Sequence, residues 1–526
     1  MTALSLQLGR QIGVLINRQG TITHVIAGDS KGIMIPALDD HPLGRRALRG
    51  LRLLHTHLKN EDLTRDDFTD LALLRFDLLA ALGVSADGEP AGIKVAYINP
   101  GKNSGERRAQ GDGQDANGTV GGMGIDVISS RDISRLDLDF SELIEQIESG
   151  LERREGFDQS DRRERAILLS VSSRQRYDLE ESMDELKELA HSADVLVLDT
   201  VIQRVKEINP RYLLGEGKIK DVVIRALDRR ATLLIFDQEL SPSQVKSISE
   251  LTELKVIDRS QLILDIFARR AHSREGKVQV ELAQLKYRLS RLTGKGTAMS
   301  RLMGGIGGRG PGEAKLEVDR RRARDRIHLL EKELAALSEG RKQRKQRRVE
   351  RGIPVVSIIG YTNAGKSTLL NALTNSDTYV EAKMFATLDT ASRRLRFPKE
   401  REVIITDTIG FIRDLPKDLV AAFKSTLEEL EDATLILHLV DVSNPRFQQQ
   451  IDSVLKILED LGLSGKPRLT VFNKADRLPL IEAVAVASRH GGVAVSALDR
   501  KSFGPLLTAI SARIWGGKEK AQVVGV

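Results

Sequence analysis

The stretch GYTNAGKST (360–368) combines residue types and a spacing that suit phosphate binding. It follows the apolar run PVVSII and opens a helical pattern, LLNALT, so a strand, a loop and a helix are expected in that order. The glycines let backbone N–H groups close around phosphate oxygens, Lys366 adds positive charge, and Ser367 offers a hydroxyl to Mg²⁺. The stretch therefore predicts a nucleotide phosphate site.

Further motifs follow in chain order and indicate which base is bound. Asp407 and Gly410 of DTIG end a predicted strand, where the carboxylate can reach Mg²⁺ through water and the glycine N–H can face the terminal phosphate. Asp476 of NKAD can accept hydrogen bonds from guanine N1–H and the 2-amino group, a pair of donors that adenine lacks. Ser496 opens SAL, which supplies a backbone N–H near the guanine carbonyl, and Thr387 of FATLDT lies where a Mg²⁺-binding threonine is expected. The set resembles the translation-factor-related (TRAFAC-type) GTPases.

This resemblance implies a full set of site residues. The predicted GTP-binding residues are Gly360, Tyr361, Thr362, Asn363, Ala364, Gly365, Lys366, Ser367, Thr368, Asp407, Thr408, Ile409, Gly410, Asn473, Lys474, Asp476, Ser496, Ala497 and Leu498. The residues expected to act in hydrolysis are Lys366, Thr387, Gly410 and Asn363. The predicted Mg²⁺ ligands are Ser367, Thr387 and, through water, Asp407.

Two residues depart from the commonest GTPase pattern. Phe411 follows DTIG where a water-orienting glutamine is often found, and a phenyl ring cannot position an attacking water, so hydrolysis should be slow without a stimulator. Asn363 resembles the asparagine that holds K⁺ in several GTPases lacking that glutamine, and a cation there could stabilise charge developing between the phosphates. The alternative for Asn363 is ordinary turn chemistry.

The rest of the chain predicts a multidomain α/β protein. Four apolar runs separated by helical patterns indicate a small parallel α/β domain over 166–275. Heptad-spaced aliphatic residues then predict an antiparallel helical hairpin with a glycine-rich tip over 276–350. The P-loop GTPase domain is expected over 351–515, followed by a tail, 516–526.

The front of the chain is read as an additional α+β domain, 1–100. It opens with two β-rich runs around a turn, QIGVLINRQGTITHVIAG (11–28), and ends with a helical pattern, LTRDDFTDLALLRFDLLAALG (63–83). Residues 101–165 begin rich in Gly, Asn and Asp and continue charged and weakly helical. They are therefore expected to form a linker and a charged helical bridge without a core.

Residues from about 166 to 500 resemble the HflX family of ribosome-associated GTPases. Besides the phosphate loop and FATLDT, the resemblance rests on FDQELSPSQ (236–244), DRSQLILDIFARRAHSREGKVQVELAQLKYRLSRL (258–292) and GGIGGRGPGEAKLEVDRRRARDRI (304–327). It implies binding to the large ribosomal subunit, GTP-dependent splitting of stalled or idle ribosomes under stress, and hydrolysis stimulated by the ribosome. The alternative is a GTP-gated RNA-binding or ribosome-assembly factor that does not split ribosomes.

The glycine-rich stretch GGIGGRGPGE (304–313) contains the dinucleotide pattern G-x-G-x-x-G but follows a heptad helix rather than a strand, which excludes that interpretation. The family resemblance places such a tip near the peptidyl-transferase region. The residues expected to contact ribosomal RNA are Arg301, Arg309, Arg320, Arg321 and Arg322. The alternative is an interhelical loop that needs no ligand.

A possible second site lies in LLHTHLKNEDLTRDDFTD (53–70). His55, His57 and Asp67 resemble the metal motif of JAMM/MPN-type and RadC-type domains, and two histidines with an aspartate suit Zn²⁺. The spacing is one residue shorter than that pattern, and QIGVLIN (11–17) lacks the expected catalytic glutamate. Thr64 followed by acids is also an ordinary helix start.

The composition of the chain excludes several kinds of chemistry and several classes of protein. The 526 residues include no cysteine, which excludes disulfides, thiolate metal sites and cysteine nucleophiles. The net charge is +7, and the basic residues concentrate in RRRARDR (320–326) and RKQRKQRRVERG (341–352), runs that suit either a solvated face or nucleic-acid phosphates. No apolar run reaches the roughly 18 residues of a membrane span, and no signal peptide is recognised. A cytoplasmic, monomeric protein is expected.

Overall fold

A computed structural model describes most of the chain. The described residues are 1–36, 38, 40–41, 48–103, 119–120, 123–136, 138–156, 163–173, 176–252, 254–292, 311–350, 352–374, 384, 391–397, 401–408, 410–412 and 430–523. They form two compact units. The first comprises Met1–Met183, Val195–Asp237 and Ser243–Val256, and the second comprises Asp184–Asp194, Gln238–Pro242 and Ile257–Val526.

The first unit begins with a seven-stranded sheet in the order β2-β1-β3-β4-β5-β7-β6. The strands are β1 (Ile12–Asn17), β2 (Ile22–Ala27), β3 (Leu51–His57), β4 (Leu78–Val84), β5 (Pro90–Asn103), β6 (Thr119–Val120) and β7 (Met123–Ser130). Strands β3 and β4 run parallel, whereas β1 is antiparallel to both β2 and β3. The helices are α1 (Thr2–Leu8), α2 (Arg65–Leu74) and α3 (Phe140–Gly156).

The predicted helical pattern over 63–83 is wrong in its second half. Helix α2 ends at Leu74, Arg75 adopts a left-handed φ of 52°, and β4 follows with every residue buried. A continuously apolar run is typical of a strand covered on both faces, and periodicity alone does not distinguish it from a buried helix.

The expectation that 101–165 bridges without a core is also wrong in part. Strand β7 pairs with β5 in the N-terminal sheet, and Ile125 of β7 is fully buried. Helix α3 adds Ile144 and Ile147 to the same core. The charged residues occupy one face of an amphipathic helix, so a high charge content did not exclude core packing.

The predicted small α/β domain contains a four-stranded sheet in the order β11-β10-β8-β9. Its strands are β8 (Arg165–Ser172), β9 (Leu196–Arg204), β10 (Leu233–Phe236) and β11 (Lys255–Asp258), and β8 runs parallel to both β9 and β10. The helices are α4 (Arg176–Ser192), α5 (Glu216–Asp228), α6 (Pro242–Ser249) and α7 (Arg259–Arg270). Each strand overlaps one of the apolar runs that predicted it, although β8 begins one residue earlier than its run and β9 extends three residues beyond its run.

A two-helix hairpin follows, formed by α8 (Arg274–Leu292) and α9 (Pro311–Glu350). Val278, Leu282 and Leu330 are buried between the helices. The helices run antiparallel, because Arg274 pairs with Glu333 at 2.8 Å, whereas Glu281, further along α8, pairs with Arg326, earlier in α9, also at 2.8 Å. The glycine-rich tip, residues 301–310, lies outside the described residues.

A buried carboxylate fixes the end of α8. Asp258, 1% exposed, caps α7 by accepting a hydrogen bond from the Gln261 N–H at 3.0 Å. It also accepts from the Tyr287 hydroxyl and pairs with Arg291 at 2.5 Å. Removing one partner of a buried charged group typically costs about 3–5 kcal/mol, so Asp258 holds α8 firmly against the start of α7.

The last domain contains a six-stranded sheet in the order β13-β14-β12-β15-β16-β17. The strands are β12 (Val355–Gly360), β13 (Ala391–Phe397), β14 (Arg401–Asp407), β15 (Leu435–Asp441), β16 (Arg468–Asn473) and β17 (Val493–Ala494). Only β13 is antiparallel to its neighbour. The carboxyl ends of the parallel strands therefore meet at one edge, where ligands bind in open α/β sheets.

The helices of this domain are α10 (Lys366–Thr374), α11 (Phe447–Asp460), α12 (Leu480–Arg489) and α13 (Phe503–Val523). Helix α13 continues through most of 516–526, so the predicted tail is helical as far as Val523. In the described part of the chain, no helix is long and apolar enough to cross a membrane.

Candidate nucleotide-binding site

The phosphate loop joins β12 to α10 and requires glycine at both ends. Gly360 has a φ of 157°, and a Cβ there would lie 2.2 Å from the Leu439 carbonyl oxygen. Gly365 has a φ of 92°, and a Cβ there would lie 2.4 Å from Asn473 Nδ2. Both separations are shorter than atoms tolerate, so the sequence pattern has a steric cause.

Lys366 lies within the loop that its motif predicts. Its buried ammonium donates to the carbonyls of Gly360 at 3.2 Å and Tyr361 at 2.9 Å. Burial lowers the pKa of Lys366 to about 8, and the nearby Asp407 carboxylate opposes that shift. A phosphate group beside the ammonium would favour the charged form further, because opposite charges attract strongly in a buried site.

The predicted Mg²⁺ residues meet at the ends of two elements. Ser367, in the first turn of α10, donates its hydroxyl to Asp407 Oδ2 at 2.6 Å, while Asp407 ends β14 fully buried. Hydroxyl and carboxylate oxygens are the ligands that Mg²⁺ prefers, so the pair fits the ion. Gly410 lies against the loop, because a Cβ there would lie 3.0 Å from Lys366 Nζ. Thr387 and Ile409 fall outside the described residues.

Asn473 connects the phosphate loop to the base-recognition motifs. Its side-chain Nδ2 donates to the Ala364 carbonyl at 2.8 Å, and its Oδ1 accepts from the Ala497 N–H at 2.9 Å. The next residue, Lys474, adopts a left-handed φ of 61° and pairs with Asp441 at 2.7 Å. The ends of β15 and β16 are thereby fixed around the loop.

A neighbouring hydroxyl holds Asp476, the residue predicted to bind guanine. Ser496 donates its Oγ–H to Asp476 Oδ1 at 2.6 Å and accepts from the Leu498 N–H at 3.3 Å. The carboxylate is exposed at the end of β16, beside the loop that carries SAL. An exposed carboxylate held in this way can accept the two donors of a guanine edge.

Phe411 is a core residue rather than a site residue. Its side chain is 2% exposed and packs with Ile359, Leu430 and Ile436. Its backbone N–H donates to the Gly360 carbonyl at 3.1 Å, which joins the strand end to the phosphate loop. The phenyl ring therefore supplies packing and offers nothing that could orient an attacking water.

Asn363 adopts a φ of 62°, in the left-handed region that asparagine tolerates better than most residues. The turn alone thus accounts for asparagine at this position, and a cation-binding role requires separate evidence.

One contact of the phosphate loop was missed by the sequence reasoning. Tyr361, predicted to bind GTP, directs its hydroxyl to Glu185 Oε1 of α4 at 2.6 Å. Glu185 Oε2 pairs with Arg259 of α7 at 2.7 Å, and both charged side chains are nearly buried. These residues are far apart in the chain, and no spacing rule connects them.

The structure describes only some of the residues predicted to contact ribosomal RNA. Arg320, Arg321 and Arg322 lie on α9, with Arg321 and Arg322 exposed, whereas Arg301 and Arg309 fall outside the described residues. In the first unit, the ligand atoms of His55, His57 and Asp67 all lie within 4.8 Å of one another.

Comparison with known proteins identifies three consecutive family matches. Residues 180–268 match the family described as GTP-binding GTPase N-terminal, residues 270–348 match GTP-binding GTPase Middle Region, and residues 355–474 match 50S ribosome-binding GTPase. All three matched regions lie after residue 179.

Individual relatives agree with these matches. GTPase HflX of Caldanaerobacter subterraneus subsp. tengcongensis is 49% identical over 353 residues, 67% of this chain and 81% of the relative. GTPase HflX of Escherichia coli is 44% identical over 322 residues, 61% of this chain and 75% of the relative. A crystal structure of a GTP-binding protein from Sulfolobus solfataricus in complex with GDP is 25% identical, with a TM-score of 0.37, covering 67% of this chain and 98% of that one.

The strand order, the phosphate loop and the guanine motifs define a P-loop GTPase, an enzyme that binds and hydrolyses GTP. Within that class the identity to relatives is high over most of their length. The chain belongs to the HflX family of GTPases.

We expect Asp476→Asn to change the base preference of the site. The asparagine amide replaces an acceptor with a donor, so affinity for GTP should fall by about 10²-fold or more, because two charge-assisted hydrogen bonds are lost. Xanthosine triphosphate, which has a carbonyl in place of the 2-amino group, should bind better than GTP. The measurement is competition against a fluorescent GDP.

The matched control is Asp460→Asn, which makes the same change on the exposed end of α11. It should leave the preference for GTP intact. Equal GTP affinity in wild type and Asp476→Asn would contradict the assignment of Asp476 to the base.

Proposed function

We propose that this GTPase binds the large ribosomal subunit and splits stalled or idle ribosomes under stress, as the resemblance to its family implies. The observation that carries the proposal is the match of residues 355–474 to a family described as 50S ribosome-binding GTPase. The helical hairpin that precedes this domain supplies the second support, because its charge suits RNA.

The hairpin is the part of the chain best suited to ribosomal RNA. Exposed Arg321 and Arg322 lie on α9, and the run 341–352 carries seven Lys or Arg residues and one Glu. Arg309 lies in the glycine-rich stretch, and Arg301 precedes that stretch by three residues in the sequence. Arginine and lysine bind RNA phosphates without reading sequence, and glycines allow a close approach of the backbone.

In the proposed cycle, GTP and Mg²⁺ order Thr387 and Asp407, and hydrolysis releases the protein from the ribosome. Ser367 and Asp407, with Thr387, would hold the ion, and Lys366 would neutralise phosphate charge. Phe411 provides no water-orienting group. A slow intrinsic reaction follows from that absence, and stimulation by the ribosome is what the family resemblance implies.

Splitting is tested by incubating intact ribosomes with the protein and a nonhydrolysable GTP analogue, followed by sedimentation through a sucrose gradient. We expect free subunits to increase, with the protein on the large subunit, because the GTP-bound state is the one that binds. GDP serves as the control and should leave ribosomes intact. Binding to large subunits without any splitting would support the assembly-factor alternative instead.

Arg309→Glu tests the role of the glycine-rich tip. Reversing this charge should weaken ribosome binding by at least about tenfold, because a phosphate contact becomes a repulsion, while GTP affinity stays unchanged. Cosedimentation and fluorescent-nucleotide titration measure the two affinities. The matched control is Arg513→Glu, the same reversal at an exposed position of α13.

A variant that loses GTP rather than the ribosome would return the glycine-rich stretch to the nucleotide site. Equal loss in Arg309→Glu and Arg513→Glu would indicate a general charge effect rather than a contact at the tip.

Potassium dependence separates the two interpretations of Asn363. If its amide holds K⁺ beside the phosphates, hydrolysis should be about 10²-fold faster in K⁺ than in Na⁺, the scale of one preorganised electrostatic contact. Asn363→Gly keeps the left-handed backbone at no steric cost but removes the amide, so the potassium effect should disappear while GDP still binds. Phosphate release measures the rates.

Equal rates in the two salts would leave turn geometry as the reason for asparagine. The same conclusion would follow if Asn363→Gly retained the full potassium effect.

A further inference from the structure

Two histidines and an aspartate converge in the first unit, in a region outside the GTPase family matches. His55 and His57 are two residues apart on β3, so both side chains leave the same face of the strand. Asp67 lies in the first turn of α2, which follows β3 in the chain. His55 is 1% exposed and His57 is 2% exposed, so the cluster is buried among packed elements.

In this cluster, the Nε2 atoms of both histidines face the carboxylate oxygens of Asp67. His57 Nδ1 lies 3.2 Å from the Glu61 carbonyl oxygen, a contact in which the ring must donate, so in the neutral ring the lone pair is on Nε2, the nitrogen that faces Asp67. In the described part of the chain, neither ring nitrogen of His55 has a hydrogen-bonding partner. Buried polar atoms without a partner are rare and require an explanation, of which a bound ion is one.

The distances match those of metal ligands. His55 Nε2 lies 3.4 Å from Asp67 Oδ1, and His57 Nε2 lies 3.4 Å from Asp67 Oδ2. Two ligands of a tetrahedral Zn²⁺ ion with bonds of about 2.0–2.1 Å are separated by about 3.3–3.4 Å. The nitrogen and oxygen atoms therefore already lie at nearly the spacing that such an ion requires.

We propose that His55, His57 and Asp67 bind one Zn²⁺ ion and leave its fourth position to water. Imidazole nitrogens favour Zn²⁺ over Mg²⁺ or Ca²⁺, which prefer oxygen ligands. The Glu61 carbonyl orients His57 as outer partners of zinc-bound histidines commonly do. Asp67 has 13% of its side chain exposed, more than either histidine.

The helix start and the metal site share Asp67. Thr64 accepts a hydrogen bond from the Asp67 N–H, and Asp67 Oδ2 accepts from the Thr64 N–H at 2.6 Å, which completes a capping box. The cap holds the carboxylate in the orientation that faces both histidines. Binding of an ion would thus link β3 to α2 directly, and it is independent of the nucleotide site.

Zinc binding is tested on the full-length protein after treatment with a chelator, without nucleotide. The protein is equilibrated with ZnCl₂ in a buffer that fixes the free ion concentration, passed through a desalting column and measured by mass spectrometry for metals. We expect about one zinc ion per chain. Asp67→Asn, which preserves the shape of the side chain, should weaken zinc binding by at least about tenfold.

Two controls separate the site from other histidines and acids. Asp66→Asn changes the neighbouring exposed acid on the same helix turn, and His24→Ala removes a histidine of β2; both should retain zinc. Titration with CoCl₂ gives a second readout, because a tetrahedral site develops visible absorption bands that Asp67→Asn should lose. GDP affinity should be unchanged in every variant.

Less than roughly a tenth of an equivalent of zinc in the wild type would overturn the proposal and leave a histidine–aspartate ion pair as the explanation of the cluster. Equal zinc affinity in Asp67→Asn and Asp66→Asn would overturn it as well. If Asp67→Asn failed to fold, as judged by its GDP affinity and thermal unfolding, His57→Gln would provide the same comparison.

Discussion

The nucleotide site depends on the side-chain amide of Asn473. This group occupies the space that a side chain at position 365 would need, donates to the Ala364 carbonyl and accepts from the Ala497 N–H. A single side chain therefore fixes the distance between the predicted phosphate loop and the loops predicted to bind the base. Because an amide has both a donor and an acceptor, no aliphatic or acidic residue of similar size could satisfy both loops.

A second set of buried contacts connects the phosphate loop to the base of the hairpin. Tyr361 binds Glu185, Glu185 pairs with Arg259, and the residue before Arg259 is Asp258. Asp258 in turn holds Tyr287 and Arg291 of α8. Each of these charged groups is largely withdrawn from water, where an uncompensated charge is costly, so the contacts favour one arrangement of the loop and the start of the hairpin.

The sequence predicted the parts of the fold in which a short apolar run forms a single strand. The four strands of the small α/β domain and the leading strands of the GTPase domain follow short apolar runs, and the motif residues follow those strands. Helix α2 and strand β4 were joined into one pattern because both are apolar, and only the left-handed turn at Arg75 separates them. Helix α3 was assigned to a bridge because its charged face conceals Ile144 and Ile147.

Candidate site residues could be predicted where the ligand requires particular residue types at a fixed spacing along the sequence. Contacts between distant parts of the chain could not be predicted in this way. Guanine, phosphate and Mg²⁺ each need particular groups at short intervals along the sequence, so Lys366 and Asp476 could be named from their motifs. The contact between Tyr361 and Glu185 joins positions that are 176 residues apart in the chain, and only the folded chain brings them together.

Asp67 combines a predictable and an unpredictable role. Its capping role follows from local spacing to Thr64, whereas its position between two buried histidines depends on the packing of α2 beside the end of β3.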